Sequence, residues 1–349
     1  MKHGLGIIGF GGIGGHHFRN LAKDERLDII GIYDIDPHRC DVAAEEGLSV
    51  FDSVQALLNS DKIDIVLVST PNNFHRDYAI MALQAGKNVI CEKPVTMNSG
   101  ELLEIEQVAK QTGKAFIVHQ NRRVDKDFLM AKKAMDDGLL GNVYCIESRV
   151  QGARGIPEGW RQYKVAGGGM LLDWGVHMLD QLMMMSDKRV VRVYSTQHSL
   201  RYKDIDAYFK LILTFEDGMT AHIEVGTCSY IALPRWYIEG DNGTLIIDDW
   251  DCNGRVIRAK DTVENWEEEI VYTKAGPTKT MAPRRKDTTE EIKLPEPDND
   301  YTLFYKKFIN HIEGTEPLAV TISEVMRVMQ IMEATFESWK TGDAIKVNI

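Results

Sequence analysis

Residues 5–14 of the chain read LGIIGFGGIG, an apolar run that passes directly into a glycine-rich turn. The run predicts a buried strand, and a helical pattern follows over Ile13–Lys23. This context and the G-x-G-x-x-G spacing are typical of dinucleotide binding, because such a turn brings backbone N–H groups and a helix N-terminus to the phosphates. We therefore expect six residues of the turn to bind the cofactor: Gly9, Phe10, Gly11, Gly12, Ile13 and Gly14.

An acidic residue stands where such a turn requires one. Asp34 ends the second predicted strand, Asp28–Tyr33, and lies 34 − 14 = 20 residues beyond the last glycine. A carboxylate there accepts hydrogen bonds from the ribose hydroxyls and repels a 2′-phosphate. The sequence therefore favours NAD over NADP. Arg39 keeps NADP open as the less favoured alternative, because its guanidinium lies near enough in sequence to reach a phosphate.

Strands and helices alternate through the rest of the first third. Apolar runs at Asp64–Ser69, Asn88–Cys91 and Ala115–Val118 predict strands, and helical patterns separate them at Asn73–Ala85 and Ser99–Gln111. This alternation, with nearly continuous Ile, Val and Leu in the strands, predicts a parallel sheet covered by helices on both faces.

The pattern changes after about residue 121. Apolar residues alternate with polar ones in Ile205–Phe215 and Met219–Val225, and Asp217-Gly218 between them indicates a hairpin. The second part is therefore predicted to be a mostly antiparallel sheet with helices on one face. The other elements predicted there are helices at Asp127–Asp136, Met170–Met185, Tyr301–Ile312 and Ser323–Trp339, a strand near Ile345–Val347, and a long loop over Gly276–Asp300.

Length and composition exclude several classes of protein. The 349 residues suggest about two domains. The net charge of −11 argues against nucleic acid and anionic lipid as partners, and no apolar run is long enough to cross a membrane. The five cysteines are scattered without metal-site or disulfide spacing, and no cleavable signal pattern opens the chain, so we expect a cytoplasmic protein.

Three residues carry the predicted chemistry. Lys93 follows the strand Asn88–Cys91 and so lies at the sheet edge where ligands of such folds bind. Asp173 and His177 are four residues apart, which on one helix places them on a shared face. His177 is a candidate proton acceptor near neutral pH. A metal site formed with Asp180 is the weaker alternative, because no further His or Cys stands at supporting spacing, and we expect no metal.

Together these motifs resemble the glucose-fructose oxidoreductase, inositol dehydrogenase and rhizopine-catabolism (Gfo/Idh/MocA) family. The resemblance spans essentially the whole chain. It implies an α/β protein with a Rossmann domain over residues 1–122 and an α/β domain over residues 123–349. The open, mostly antiparallel sheet of the second domain commonly forms the interface of a homodimer or homotetramer. The segments that carry the resemblance are Gly9–Gly14, Thr70–Asn72 with His75, Glu92–Pro94, and Gly167–Asp180.

The resemblance also implies roles for individual residues. Lys93 would polarise the reacting oxygen, Asp173 would contact the substrate and the histidine, and His177 would be the general base. Pro94 would follow a cis peptide bond. The other residues implied at the cofactor, beside Lys93, are Thr70, Pro71, Asn72, His75, Glu92 and Asn121. The other residues implied at the substrate, beside Lys93, Asp173 and His177, are Arg123, Trp160 and Arg161.

Two features depart from the family pattern. Val124 replaces the aromatic residue that usually follows Arg123, which leaves the shape of the pocket there open. The segment Thr278–Arg285 has no family counterpart, and we expect it either to cap the site or to meet a neighbouring subunit.

The leading functional hypothesis is NAD-dependent hydride transfer at a ring hydroxyl of a sugar, a cyclitol or a glycoside, with C3 of a glycoside as one candidate position. A redox-neutral alternative is glycoside cleavage through a 3-keto intermediate with NAD recycled in place. A third hypothesis is a cofactor-binding regulator without catalytic activity. The presence of Lys93, Asp173 and His177 together argues against it.

Overall fold

In the computed structural model, which describes residues 2–21, 25–260, 270–279, 284 and 286–349, the N-terminal part forms a six-stranded sheet. Its strands are β1 (His3–Ile8), β2 (Leu27–Tyr33), β3 (Ser49–Val50), β4 (Ile65–Val68), β5 (Asn88–Cys91) and β6 (Phe116–Val118). They pair in the order β3-β2-β1-β4-β5-β6, and every pair is parallel. All four residues of β4 are fully buried, which fits a central strand covered on both faces.

Five helices connect these strands. They are α1 (Gly12–Leu21), α2 (Pro37–Glu45), α3 (Val54–Leu58), α4 (His75–Gln84) and α5 (Ser99–Thr112). Local capping explains their bounds: the side chains of Ser53 and Asn98 accept backbone N–H bonds at the starts of α3 and α5, and Gly113 in a left-handed conformation ends α5. The predicted parallel sheet is confirmed. The prediction of helix as far as Lys23 extends outside the described residues.

The second part is a nine-stranded mixed sheet with a small separate hairpin. The strands after β6 are β7 (Val143–Gln151), β8 (Val190–His198), β9 (Tyr208–Phe215), β10 (Thr220–Gly226), β11 (Trp236–Gly240), β12 (Gly243–Ile247), β13 (Gly254–Ala259), β14 (Val271–Thr273), β15 (Gly276–Thr278), β16 (Thr289–Ile292) and β17 (Ile345–Lys346). The large sheet runs β16-β13-β12-β11-β7-β10-β9-β8-β17, and only β7 and β10 among its described pairs are parallel. The prediction of a mostly antiparallel sheet is confirmed.

The hairpin predicted at Asp217-Gly218 joins β9 to β10, with Thr214 opposite Thr220. The prediction of one long loop over Gly276–Asp300 is wrong, because this region contains β15 and β16. β16 is held by pairing with β13 and by an ion pair from Arg258 to Glu290, which are long-range contacts without a local signal. The segment Thr278–Arg285 lies largely outside the described residues.

Four further helices complete the fold: α6 (Lys126–Asp136), α7 (Val176–Met185), α8 (Leu303–Ile312) and α9 (Ile322–Thr341). The last two return to the first sheet's domain. The Ser99 hydroxyl donates to Glu333 on α9 at 2.9 Å, and Arg26 donates to Asn310 on α8 at 2.7 Å. Among the described residues no helix combines the length and hydropathy needed to cross a membrane.

Candidate active site

The glycine turn between β1 and α1 is built from positions that exclude a side chain. Gly9 has a φ of +92°, and a Cβ there would lie 2.8 Å from the carbonyl oxygen of Ser69. A Cβ on Gly14 would lie 2.2 Å from the carbonyl oxygen of Gly9. Gly12 has open space where its Cβ would be. The sequence motif therefore reflects real steric constraints at Gly9 and Gly14.

Asp34 lies just beyond β2 and is fixed against this turn. One carboxylate oxygen accepts the N–H of Phe10 at 2.6 Å, and the other accepts the N–H of Asp36 at 2.9 Å. A carboxylate retains further lone pairs for hydroxyl donors. Arg39 reaches the same place, since its Nη1 lies 3.4 Å from the Cβ position of Gly11 and its Nε lies 3.5 Å from Asp36. An acidic and a basic side chain therefore both lie beside the glycine turn.

Lys93 connects the two domains through Asp173. Its Nζ donates to the Asp173 carbonyl oxygen at 3.0 Å and to its carboxylate at 3.1 Å. Arg161 lies 3.2 Å from the same carboxylate oxygen, and its guanidinium covers the ring of Trp160. Burial alone would raise the pKa of Asp173, but the two cations hold it below its usual value. Asp173 is therefore an ionised anchor for Lys93 and Arg161.

His177 lies almost fully enclosed one turn further along the chain, with 5% of its surface exposed. Burial, together with the nearby charges of Lys93 and Arg122, lowers its pKa well below the usual value. The imidazole is therefore neutral at physiological pH and has a lone pair with which to accept a proton.

Asp173 and His177, which the sequence analysis expects to interact, are not hydrogen-bonded to each other in the described part of the chain. Asp173 lies in a π-helical turn, Leu171–Gly175, which changes the angular spacing before α7 begins. Its carboxylate faces Lys93 and Arg161, while Nδ1 of His177 has no hydrogen-bond partner in the described part of the chain. The two residues belong to the same site but are not a hydrogen-bonded pair.

Asp206, which the sequence analysis missed, holds the start of this π-helical turn. Its carboxylate accepts the Leu171 N–H at 2.6 Å, and its carbonyl accepts the Met170 N–H at 3.0 Å. Gly169, at a φ of +105°, leaves room for this carboxylate, because a Cβ there would lie 2.2 Å from it. Burial raises the pKa of Asp206 to about 7, although the backbone N–H groups favour the ionised form.

The loop residues after β4 join the two halves of the site. His75 lies with its ring nitrogens 2.8 Å from the carbonyl oxygens of Pro94 and Thr70, next to the cis bond between Lys93 and Pro94 that the resemblance implied. Asn72 donates its amide to the Gly167 carbonyl at 2.9 Å. The structure therefore uses these side chains to fix the loops, while the buried Thr70 hydroxyl has no described partner.

The Glu92 carboxylate is occupied within the protein. One oxygen lies 2.7 Å from Nε2 of His17 and 2.7 Å from Nδ1 of His119, and the other accepts the Lys93 N–H at 3.1 Å. Neither histidine was among the predicted site residues. Only the fold brings His17 from α1 and His119 from the end of β6 onto one carboxylate.

Arg123, which the resemblance implies at the substrate, makes several contacts within the protein. Its guanidinium forms a two-point ion pair with Asp180 at 2.7 and 2.8 Å, and it also donates to the Ala319 carbonyl. These bonds fix α7 to the segment before α9. Because Asp180 is committed to this pair, it does not converge with Asp173 and His177 on a metal. Asn121 is exposed in the turn before Arg123.

An aromatic and cationic stack beside His177 has no counterpart in the sequence predictions. The Arg122 guanidinium lies 4.2 Å above the Trp174 ring, and the Trp250 ring lies 5.8 Å from that of Trp174. The Trp174 ring lies 6.0 Å from that of His177. The Trp250 side chain is half exposed.

Comparison with known proteins agrees with this architecture. Residues 4–120 match the model of an oxidoreductase family with an NAD-binding Rossmann fold, and residues 128–246 match the Gfo/Idh/MocA C-terminal domain. A solved NAD-binding protein from Listeria innocua superposes with a TM-score of 0.96 at 42% identity, covering 99% of each chain.

Two curated relatives extend over nearly the full length. The scyllo-inositol 2-dehydrogenase (NADP(+)) of Bacillus subtilis is 27% identical, covering 96% of this chain and 93% of the relative. The D-glucoside 3-dehydrogenase of Escherichia coli is 26% identical, covering 98% and 97%. With both domains matched in order, the chain belongs to the Gfo/Idh/MocA family of NAD(P)-binding oxidoreductases.

Proposed function

We propose that this protein is an NAD-dependent dehydrogenase that oxidises or reduces a ring hydroxyl of a sugar, glycoside or cyclitol. One observation carries the proposal. The Lys93 ammonium is held by Asp173 beside the neutral imidazole of His177, at the sheet edge that also carries the glycine turn. This set supplies a proton acceptor and a positive charge, the two protein groups that oxidation of an alcohol requires.

Each residue has a distinct task in the reaction. Bound nicotinamide supplies hydride acceptance at its C4. Lys93 stabilises the negative charge that develops on the oxidised oxygen, and His177 accepts the hydroxyl proton. Asp173 keeps the Lys93 ammonium in place, because both its carbonyl and its carboxylate accept from Nζ.

The preference for NAD rests on Asp34. Its carboxylate is fixed at the turn that would hold the adenosine ribose of a dinucleotide, and a 2′-phosphate there would meet this negative charge. Arg39 works in the opposite direction, and one curated relative uses NADP(+). Because the Asp34 carboxylate is fixed by two backbone N–H bonds whereas Arg39 is half exposed, we assign the preference to Asp34.

The polyol substrate class follows from the charged groups at the site and from the named activities of the relatives. Lys93, Asp173 and Arg161 offer donors and acceptors close together, which suits neighbouring hydroxyl groups on a ring. The two curated relatives are named for scyllo-inositol and for D-glucosides.

The test is a spectrophotometric screen. Purified protein is mixed with NAD+ and, in separate reactions, D-glucose, methyl β-D-glucoside, myo-inositol and scyllo-inositol. We expect the absorbance of reduced nicotinamide to grow with at least one of these. The His177→Asn variant should abolish this growth, whereas His38→Asn, on an exposed helical position, should leave it intact. No reduction with any substrate despite tight NAD binding would contradict the proposal and favour a regulator.

A further inference from the structure

The outer face of the large sheet carries a polar cluster on its two parallel strands. β7 and β10 lie side by side, and in their register Glu147 is directly opposite His222. Ile146 and Ser148, on either side of Glu147 in β7, are buried. Because successive side chains of a strand alternate between faces, Cys145 and Glu147 lie together on the opposite face. The fold thereby gathers a thiol, a carboxylate and an imidazole on one surface.

The ligand atoms of these three side chains lie close together. The Cys145 sulfur, a carboxylate oxygen of Glu147 and a ring nitrogen of His222 are all within 4.8 Å of one another. Nδ1 of His222 is 3.7 Å from Oε1 of Glu147, which is too long for a hydrogen bond. In a tetrahedral zinc site, metal–ligand distances of about 2.0 to 2.3 Å separate neighbouring ligand atoms by about 3.3 to 3.8 Å. The spacing therefore fits a shared metal ion better than a direct hydrogen bond.

The oxygen and nitrogen atoms that face each other are not committed elsewhere. Arg149 donates to Oε2 of Glu147, and no hydrogen bond from a described residue reaches Oε1. Nor does the His222 ring form a hydrogen bond with any residue that the structure describes. Burial, together with the charges of Lys210 and Arg149, lowers the pKa of His222. The imidazole is therefore neutral at physiological pH, which is the form that binds metal ions.

The charges around the cluster favour a cation. Two positive side chains, Arg149 and Lys210, lie nearby, and they are 3.9 and 3.6 Å from the Glu224 carboxylate. Glu239 on β11 is directly opposite Cys145, and its negative charge acts on the thiol. With the carboxylate of the cluster itself and an ionised thiol, negative charges outnumber positive ones at this place.

We propose that Cys145, Glu147 and His222 bind a thiophilic divalent metal ion of the zinc class. Thiolate, imidazole and carboxylate are the groups with which proteins bind Zn²⁺. Arg149 stays on the second oxygen of Glu147 and orients the carboxylate. Binding releases the thiol proton of Cys145 to solvent, and water completes the fourth position. The proposal does not depend on the dehydrogenase function, since none of the residues assigned to hydride transfer takes part.

The sequence carries no spacing signal for this site. Cys145 and Glu147 are two residues apart, but His222 lies 222 − 145 = 77 residues after the cysteine. Only the pairing of β7 with β10 brings the three together. The expectation that the chain binds no metal rests on sequence spacing, which does not reveal a site of this kind.

The experiment uses Co²⁺ as a spectroscopic probe. The full-length, tag-free protein is reduced, freed of metal with a chelator and titrated with Co²⁺. We expect one Co²⁺ per chain, with a near-ultraviolet charge-transfer band from thiolate to cobalt and the visible bands of a tetrahedral ion. Zn²⁺ added afterwards should remove these bands, because Zn²⁺ binds nitrogen and sulfur ligands more tightly than Co²⁺ does.

Two variants test the ligands. Cys145→Ser should abolish the charge-transfer band. His222→Gln should weaken Co²⁺ binding by more than roughly 100-fold, which exceeds the loss expected for an outer-sphere contact. The matched controls are Cys228→Ser, which removes another partly exposed cysteine, and His198→Gln, at an exposed position on β8. Both controls should keep the wild-type spectrum. A charge-transfer band that persists in Cys145→Ser overturns the proposal.

The band also distinguishes this site from a second group of residues whose atoms lie near enough together to hold a metal. Among the described residues that group is His17, Glu92 and His119, which contains no sulfur. Co²⁺ bound there gives no thiolate band, so binding without the band overturns the proposal, as does the absence of Co²⁺ binding.

A second measurement detects a folding defect in the variant. Without metal, Cys145→Ser should melt at the wild-type temperature. Added Zn²⁺ should raise the melting temperature of the wild type and of His198→Gln, because the ion binds the folded chain, but not that of Cys145→Ser. An equal rise in Cys145→Ser overturns the proposal.

Discussion

The cofactor edge and the catalytic edge of this protein are built in different ways. At the cofactor edge, Gly9, Gly14 and Asp34 lie within 26 residues, and the contacts that matter are made by backbone atoms. At the catalytic edge, Lys93 and Asp173 are 80 residues apart in sequence and come from different domains. A site formed by backbone atoms can therefore be predicted from a short sequence motif. A site formed by side chains depends on packing between elements that are distant in sequence.

The largest expected effect is on the catalytic edge. Replacing Lys93 by Ala removes the positive charge beside the reacting oxygen, and kcat/KM for reduction of NAD+ should fall by roughly 10³-fold. NAD+ affinity, measured by calorimetry, should stay within about threefold because the glycine turn is untouched. The control Lys62→Ala removes an exposed lysine and should have no effect on either quantity. Full activity in the Lys93 variant would contradict the assignment of catalysis to the edge that carries Lys93.

The next effect concerns Asp206, which holds the start of the π-helical turn Leu171–Gly175. The pKa of Asp206 is about 7 in the fold and near 3.8 when unfolded, so between these values the unfolded chain releases a proton that the folded chain keeps. Stability contributed by this group is therefore lost as pH rises, by up to about 4 kcal/mol. Asp206→Asn has no such titration.

The measurement is urea unfolding of the wild type and of Asp206→Asn from about pH 4 to about pH 7. The free-energy difference between them should change in favour of the variant across this range. Asparagine keeps an oxygen for the Leu171 N–H, which makes the comparison a test of charge. If the free energy of unfolding had the same pH dependence in both proteins, the predicted effect of Asp206 ionisation would be refuted.

The cofactor edge should fail sterically at one glycine and tolerate change at another. In Gly14→Ala the new Cβ would collide with the carbonyl oxygen of Gly9, so we expect NAD+ affinity to fall by roughly 100-fold, about 2.7 kcal/mol. Gly12→Ala, two residues earlier on the same helix, meets open space and is the matched control. Equal losses in both variants would show that the turn is not limited by this contact.

The smallest effect is on the choice of cofactor. Asp34→Ala removes the carboxylate that we propose faces the ribose, and the ratio of NAD+ to NADP+ affinity should fall by roughly tenfold, about 1.4 kcal/mol. Asp41→Ala, on an exposed position of α2, should leave the ratio unchanged. An unaltered preference in the Asp34 variant would show that the ribose is held elsewhere.

The sequence predicts the first sheet well for a physical reason. Strands buried on both faces give continuous apolar runs, and helix caps and glycines lie next to the elements that they end. Asp34 and the glycine turn are found on the same grounds. By contrast, β16 was missed because its pairing with β13 involves a partner about 30 residues away and no apolar run.

The proposed catalytic residues stand out in the sequence by residue type, but their contacts do not. Four-residue spacing indicates a shared face only on a regular α-helix, and the π-helical turn at Leu171–Gly175 removes that relation between Asp173 and His177. The ion pair between Arg123 and Asp180 is a tertiary contact that no sequence pattern indicates. His119 and Asp206 lie in segments with no motif, and only tertiary packing gives them partners.

The most direct test of the proposed chemistry is a crystal structure of the His177→Asn variant with NAD+ and the substrate that reduces it fastest in the wild type. One ring hydroxyl should lie within about 3 Å of the Lys93 Nζ and of the residue 177 amide, with its carbon facing C4 of the nicotinamide. A nicotinamide bound away from Lys93, or a substrate whose ring hydroxyls do not reach Lys93, would contradict the assignment of this site.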